Sequence, residues 1–422
     1  MQKLNVRRTI LTGLAFLSIS AFWQVYDTII PLILKEHFAV GDTISGGIMA
    51  LDNVLAIVLL PMFGTMSDKT NTRLGRRMPF ILVGTAFAVI FMVQLPMAAN
   101  AHNLIWFMCA LGLTLLAMGL YRSPAVALMP DLTPRPLRSK GNAVINLMGS
   151  VGGILSLGLI AALVPKGEQP SYTLLFFVVA CIMVVAVLVL ALTIRENKMR
   201  VQDDAEDKPT NSAASGTLSP AEKRSLVLIL ASVFCWFMGY NAVTTAFSKY
   251  ARFYWGLTGG SFSYTMIVAQ AAAICAYLPV ASLSQRIGRR KTILCGVALL
   301  TAVFIGAACF TTFNAGMFVL FALAGIAWAA INVNSYPMVV ELAKGADVGK
   351  YTGFYYTFSM AAQIITPIFS GALLENVGYH TLFPYGAVCV AVSFVTMCFV
   401  RHGDAKTEKL ASALEAFADP ED

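Results

Sequence analysis

Long stretches of the chain contain no charged residue, and they set its architecture. Such runs extend from Met78 to Tyr121, Gly141 to Pro165, Gln169 to Ile194, Ser225 to Ser248, Phe253 to Gln285, Thr292 to Val340, Tyr351 to Leu374 and Asn376 to Val400. A helix needs about 20 apolar residues to cross a bilayer, whereas a barrel strand needs only about ten that alternate, so these runs predict helices. The two longest, of 44 and 49 residues, exceed one span. Each holds a small polar break, Ala98 to Asn103 and Thr311 to Gly316, and therefore predicts a helical hairpin. Two further helices, about Thr9 to Leu34 and Thr43 to Thr65, bring the total to twelve spans.

Composition agrees and adds an orientation. Hydrophobic residues make up 58% of the chain and charged ones 12%, with a mean hydropathy of +0.72. An ordinary soluble domain is about 25% charged. With the N-terminus inside, the cytoplasmic segments hold 25 Lys and Arg, and the external loops hold only Lys35, Lys166, Lys249 and Arg252. The bias predicts cytoplasmic termini at both ends and makes the net charge of +8 a topology signal rather than a nucleic-acid footprint. All eight cysteines fall within spans without a CxxC pair, which predicts buried apolar thiols rather than disulfides or metal ligands. The first helix is too long for the core of a cleavable signal peptide. The absence of an N-x-[ST] sequon fits a bacterial inner membrane.

The chain also repeats itself. Gly75, Arg76 and Arg77 recur as Gly288, Arg289 and Arg290, 213 residues later, and Pro124 recurs as Pro337 at the same offset. A shared offset at two landmarks predicts two copies of one unit. Six spans per copy is an even number, so both copies enter from the same side and are related in parallel. The expected fold is an all-α membrane protein with two parallel-related six-helix bundles, 1–194 and 225–401. A small, polar, acidic linker at 195–224 and a tail at 402–422 complete it. In the tail, Leu410, Leu414 and Phe417 are spaced for a short helix lying on the membrane face; a solvated tail is the alternative.

A few polar residues interrupt the spans. The first helix holds Trp23, Gln24, Tyr26 and Asp27, the second holds Asp52 beside Asn53, and the fourth holds Arg122. A charge deep in a span costs about 2.5 to 3.5 kcal/mol on insertion scales, so such groups have a task or form a structural set. At 1.5 Å per residue, Asp27 lies roughly 8 Å and Asp52 about 3 Å to the outer side of mid-span, and Arg122 about 9 Å to the inner side. Direct contact of Asp27 with Arg122 is therefore not expected without tilt. Further polar groups at depth are Asn142, Asn146, Tyr240, Asn241, Gln270, Asn332, Asn334 and Gln363. The 213 offset maps Asp27 onto Tyr240 and Arg122 onto Ser335. A single intramembrane Asn more often bonds to a neighbouring helix than to a ligand.

The polar loop Gly64 to Ile81 has its own logic. Gly75 can take backbone angles that other residues avoid, Pro79 suits the first turn of a helix, and Arg76 and Arg77 suit a helix-end and headgroup setting. Asp68 can pair with one of these arginines. With Asp131, Arg289 and Glu341 the pairs predict a latch that forms while the cytoplasmic side is closed. Topology alone would explain the arginines but not the acids. In the second copy Gln285 stands where the acid was.

The string P-x-x-G-x-x-S-D-K followed by G-R-R-x-P-F-I, Pro61 to Ile81, resembles the signature between helices 2 and 3 of the glycoside and sucrose branch of the major facilitator superfamily. That branch includes the sucrose transporters and the glycoside-pentoside-hexuronide:cation symporters. Pro124 to Leu155 is similar to the helix 4 to 5 region of the sucrose transporters. The resemblance implies secondary transport of a sugar or glycoside by alternating access. Two features of the branch do not carry over. Where melibiose-type symporters have paired acids on helix 2, this chain has Ala56 and Leu60. The Asp of the sucrose transporters in helix 4 has no counterpart between Leu104 and Pro130.

The expected activity is thus uptake of a disaccharide-like sugar or glycoside, coupled to protons or else sodium, by a monomer in the lipid bilayer without cofactor or metal. Trp23, Gln24, Asp27, Arg122, Asn146, Tyr240, Asn241 and Asn332 are the expected substrate ligands, with Trp328 as a further aromatic face. Asp27 is the expected proton carrier and Asp52 the second choice. Proton-driven efflux of drugs or metabolites is the alternative. An enzyme is disfavoured, since the four histidines, His37, His102, His380 and His402, lie near loops or the tail with no expected pairing.

Overall fold

The computed structural model describes residues 5–134, 137–167, 169–199, 219–342 and 348–404. Among them, twelve helices are long and apolar enough to cross a membrane. They are α1 (Val6–Glu36), α2 (Asp42–Lys69), α3 (Met78–Asn100), α4 (Leu104–Leu132), α5 (Arg138–Leu163), α6 (Thr173–Thr193), α7 (Pro220–Lys249), α8 (Ser263–Ile287), α9 (Arg289–Ala308), α10 (Gly316–Val340), α11 (Val348–Asn376) and α12 (Leu382–Cys398). Both long runs divide at their polar breaks. Asn103 caps α4 by accepting the Trp106 amide at 2.9 Å, and Ser219 with Glu222 forms a reciprocal capping box on α7. The middle of the linker and the tail segment with Leu410, Leu414 and Phe417 lie outside the described residues.

The duplication seen in the sequence is also a duplication of packing. In the first half α1 packs on α5 and α6, α2 on α4, and α3 on α4 and α6. Six helices on, α7 packs on α11 and α12, α8 on α10, and α9 on α10 and α12. Small residues allow the close approaches. A side chain at Gly152 would run into the Leu17 carbonyl, and one at Gly325 into the Ala269 carbonyl. The two halves meet along α2 with α11, α5 with α8, and α1 with α7.

These meetings are concentrated at one end. We call the face carrying the start of α1 and the end of α12 proximal, and the face carrying the α1–α2 turn distal. At the distal end Gly46 of α2 lies against the Pro367 backbone of α11, and Gly371 of α11 against the Asp42 carbonyl. Gly260, just before α8, lies against the Ile160 carbonyl of α5. Along α2, Asp42, Ser45, Gly46, Met49 and Ala50 are buried, but between Leu51 and Met66 only Leu59 is. Among the described residues the halves are thus joined distally and part towards the proximal face.

The thiols correct one expectation. Cys109, Cys181, Cys275, Cys295, Cys309 and Cys398 are exposed on the protein surface rather than buried, and all eight cysteines are free. The reason is that the rim of a membrane bundle is as apolar as its core, so an apolar residue type does not reveal which side it faces.

Candidate functional site

Between the halves, α1, α4, α5, α8 and α10 enclose a lobe of about 330 Å³. A second lobe of about 360 Å³ extends among α7, α8, α9 and α10. Gln24, Asp27, Ser150, Gln270 and Tyr277 line both, so the two form one central cavity. On α1 the lining residues Phe16, Ile19, Ser20, Trp23, Gln24 and Asp27 recur every three or four positions, which places them on one helical face.

Of the expected ligands, Trp23, Gln24, Asp27, Arg122, Asn146 and Asn332 line the first lobe. Tyr240 lines the second, with Gln24 and Asp27 again. Asn241 lines neither. Asp52 also lies outside both lobes, where its Oδ1 accepts the Asn53 amide at 2.6 Å and the Asn53 side-chain nitrogen at 2.8 Å. Asp52 and Arg122 are nonetheless close enough to act electrostatically on the Asp27 carboxyl. No ion pair joins Arg122 to Asp27, in keeping with their depths. The guanidinium sits 5.9 Å from the Trp23 ring centre instead, a cation–π contact.

The first lobe has unmet hydrogen-bonding capacity. Trp23 Nε1, Gln270 Oε1 and Asn332 Oδ1 are buried without a partner. Each such atom costs about 1–3 kcal/mol until something bonds to it. In the second lobe, Tyr240 and Trp328 stack face to face with centroids 3.6 Å apart and planes within 6°. Gln270 stands out in the sequence only as one of several polar groups at depth, and Ser20, Ser150 and Tyr277 do not stand out at all. Uncharged polar residues are common in spans, and only helix rotation brings these four to the centre.

Two charged belts flank the cavity. At the distal face, Asp42, only 1% exposed, accepts from Lys249 at 2.8 Å, Lys35 at 3.1 Å and the Tyr379 hydroxyl at 3.0 Å. Arg252 donates to Glu36 at 2.7 Å and also bonds the Gly167 carbonyl. Glu375 of α11 accepts from the Thr43 amide at 2.8 Å. Lys249 is the last residue of α7, and Arg252 sits in the π-helical turn, Tyr250–Tyr254, that continues it. Tyr172 donates to Glu36 at 2.6 Å, and burial, reinforced by that carboxylate, raises its phenol well above the usual value. Glu36, Asp42 and Glu375 do not stand out in the sequence, because a charge beside a short loop is ordinary, and Lys35, Lys249 and Arg252 stand out there only as the few cations of the external loops.

At the proximal face the pairs among the described residues stay within one half. Arg76 donates to Asp131 at 2.5 and 3.0 Å, and Arg77 to Asp131 at 3.0 Å and to Asp68. Arg289 donates to Glu341 at 2.5 Å. The sequence predicted pairs that form when this face closes. Instead they are complete while the halves part here, because both members of each pair belong to the same half. Two further acids complete the pattern. Glu196, 1% exposed, accepts the Arg76, Arg77 and Met78 amides at 2.9–3.1 Å, and Asp404 accepts the Arg290 amide at 3.2 Å. Each follows the sixth helix of its half and sits beside a left-handed glycine, Gly75 (φ 122°) or Gly288 (φ 93°).

The histidines also differ from expectation. The His37 and His102 rings lie 5.9 Å apart, each donating to a backbone carbonyl, of Pro170 and His37 respectively, at 3.2 Å. His402 meets Ser225 at 3.0 Å. Chain turns at the two faces bring these partners together, which spacing along the sequence does not show.

A family described as MFS/sugar transport protein matches residues 11–396. The chain is 24% identical over 290 residues to an isoprimeverose transporter of Lactiplantibacillus pentosus, covering 66% of this chain and 59% of that one. It is 28% identical over 139 residues to a sucrose transport protein of Arabidopsis thaliana, covering 28% and 23%. It is 25% identical over 279 residues to a class H tetracycline resistance protein of Pasteurella multocida, covering 64% and 65%. The chain thus spans less than two thirds of the length of these relatives. Among solved structures, a nucleoside transporter, NupG, and a bacterial homologue of the iron transporter ferroportin each give a TM-score of 0.69 over 94% of this chain at 13% identity, covering 100% and 99% of their own. At that identity the likeness carries the fold alone.

Proposed function

The chain belongs to the MFS/sugar transport protein family, and from that premise we propose that it takes up a sugar or glycoside of disaccharide size, in symport with a proton, by alternating access of its two halves. One observation carries the proposal. Asp27, Arg122 and the unpartnered polar atoms of Trp23, Gln270 and Asn332 meet in a cavity between halves whose closest backbone approaches, among the described residues, lie at their distal ends. Hydroxyl groups of a sugar satisfy such atoms, and the cavity falls within the roughly 300–1,000 Å³ of small-molecule sites.

In this reading the proximal face is cytoplasmic, as the Lys and Arg bias predicts, and the protein works as a monomer in an inner membrane. Asp27 takes a proton when the distal side is open and releases it when the cavity faces the proximal side. Asp52 is the second candidate, and Arg122 either bonds the sugar or favours proton release. Sodium is the alternative coupling ion. The tetracycline resistance relative supports a second reading, efflux by proton antiport; the hydrogen-bonding demand of the first lobe weighs against it.

Labelled mono- and disaccharides, offered to proteoliposomes under imposed pH or sodium gradients, test the proposal. Asp27→Asn is expected to abolish uphill accumulation and to spare exchange down a gradient. Unchanged accumulation removes Asp27 from the coupling role, and outward pumping under the same gradient selects the efflux reading.

A further inference from the structure

The two lobes of the cavity are chemically unlike. The first is walled by hydrogen-bonding groups, among them Asp27, Arg122, Asn146, Gln270 and Asn332. The second is walled mainly by Val243, Phe247, Met266, Phe304, Phe321 and Phe383, beside the Tyr240–Trp328 stack. Its polar members are those it shares with the first lobe, plus the Tyr240 hydroxyl, the Trp328 indole N–H and Thr244, whose hydroxyl already donates to the Asn241 carbonyl at 3.3 Å. A second sugar ring placed there would give up water for few partners, at a cost of about 1–3 kcal/mol for each hydroxyl left unbonded. An aromatic ring would lose nothing, and would gain apolar contact and edge or offset packing on a flat stacked pair.

Resting on the sugar reading above, we propose that the preferred cargo is a glycoside with an aromatic aglycone, its sugar in the first lobe and its aglycone in the second. The junction falls at Gln24, Asp27 and Gln270, which face both lobes. The proton carrier of the transport proposal thereby stands where the hydroxyl-rich and apolar parts of the cargo join. The structure thus assigns recognition to two separable parts, hydrogen bonding for the sugar and apolar burial for the rest.

Isothermal titration of the purified full chain with matched phenyl and methyl glycosides of common hexoses and pentoses, and with phenol, tests this. For a sugar that binds, the phenyl glycoside is expected to bind roughly tenfold or more tighter than the methyl glycoside, from burial of one ring discounted for ordering costs. Ala324→Phe, which fills the second lobe, is expected to bring that ratio towards one. Equal affinities in the parent protein overturn this inference and leave the sugar reading standing. Phenol binding as tightly as its glycosides, or no binding by either glycoside series, overturns both.

Discussion

Among the described residues, charges at the distal face cross from one half of the molecule to the other; at the proximal face, they stay at home. Asp42 meets Lys249 and Glu36 meets Arg252 across the seam, whereas Arg77 meets Asp68 and Arg289 meets Glu341 within single halves. The difference matters for a protein that rocks. A cross-seam pair must break when the distal ends part, so its energy biases one conformer against the other. A pair within a half travels with it, and its energy goes into holding that half rigid. Belts of similar composition therefore do different work, decided by which helices their members ride on.

The largest expected effect comes from breaking the cross-seam belt. Asp42→Asn leaves Lys249 buried without its counter-charge, which costs about 3–5 kcal/mol of the distally joined form. Spin labels at the exposed distal positions Ile44 and Val377 are expected to report a longer mean separation. Adding Lys249→Met should restore most of the original distance, since removing both charges is far cheaper than stranding one. An unchanged distance in Asp42→Asn would remove the seam from the conformational balance.

A smaller effect, of another kind, is expected at Glu196. Its carboxylate accepts three amides at the start of α3, and Glu196→Gln weakens charge-assisted bonds worth about 1.5–3 kcal/mol together with the capping of that helix. Thermal unfolding should begin at lower temperature while the Ile44–Val377 distance stays as it was. A shift in that distance would mean that the proximal belt also senses conformation.

The smallest effect belongs to Arg289, whose side chain is 19% exposed against a Glu341 side chain that is 25% exposed. Partly solvated pairs contribute about 0–1 kcal/mol, so Arg289→Met should change the unfolding temperature little and the transport rate less than about twofold. Severe loss of transport in a variant that unfolds normally would instead restore the closure-dependent latch that the sequence predicts.

The ease with which each group could be found in the sequence follows its cost. Asp27 and Arg122 stand out because a charge inside a span is expensive, and both line the central cavity. Tyr240 stands out through the repeat offset that aligns it with Asp27, and it lines the second lobe. Asp42 and Glu36 pass unnoticed beside short loops, and Lys249 and Arg252 count only as rare external cations, although the four make the seam. Glu196 and Asp404 are similar: their places after α6 and α12 correspond, but their numbers miss the 213 offset, so repetition does not reveal them.

Twelve spans, their duplication and the side that bears the positive charge were determined by the sequence alone. These depend on quantities that add up locally, such as apolar run length, residue spacing and counts of Lys and Arg. Which polar groups share the cavity, and which ions bridge the halves, only the tertiary structure decided. Those contacts join residues up to two hundred or more positions apart, as with Asp42 and Lys249, and a modest helix rotation or tilt would turn each side chain towards lipid, neighbour or cleft.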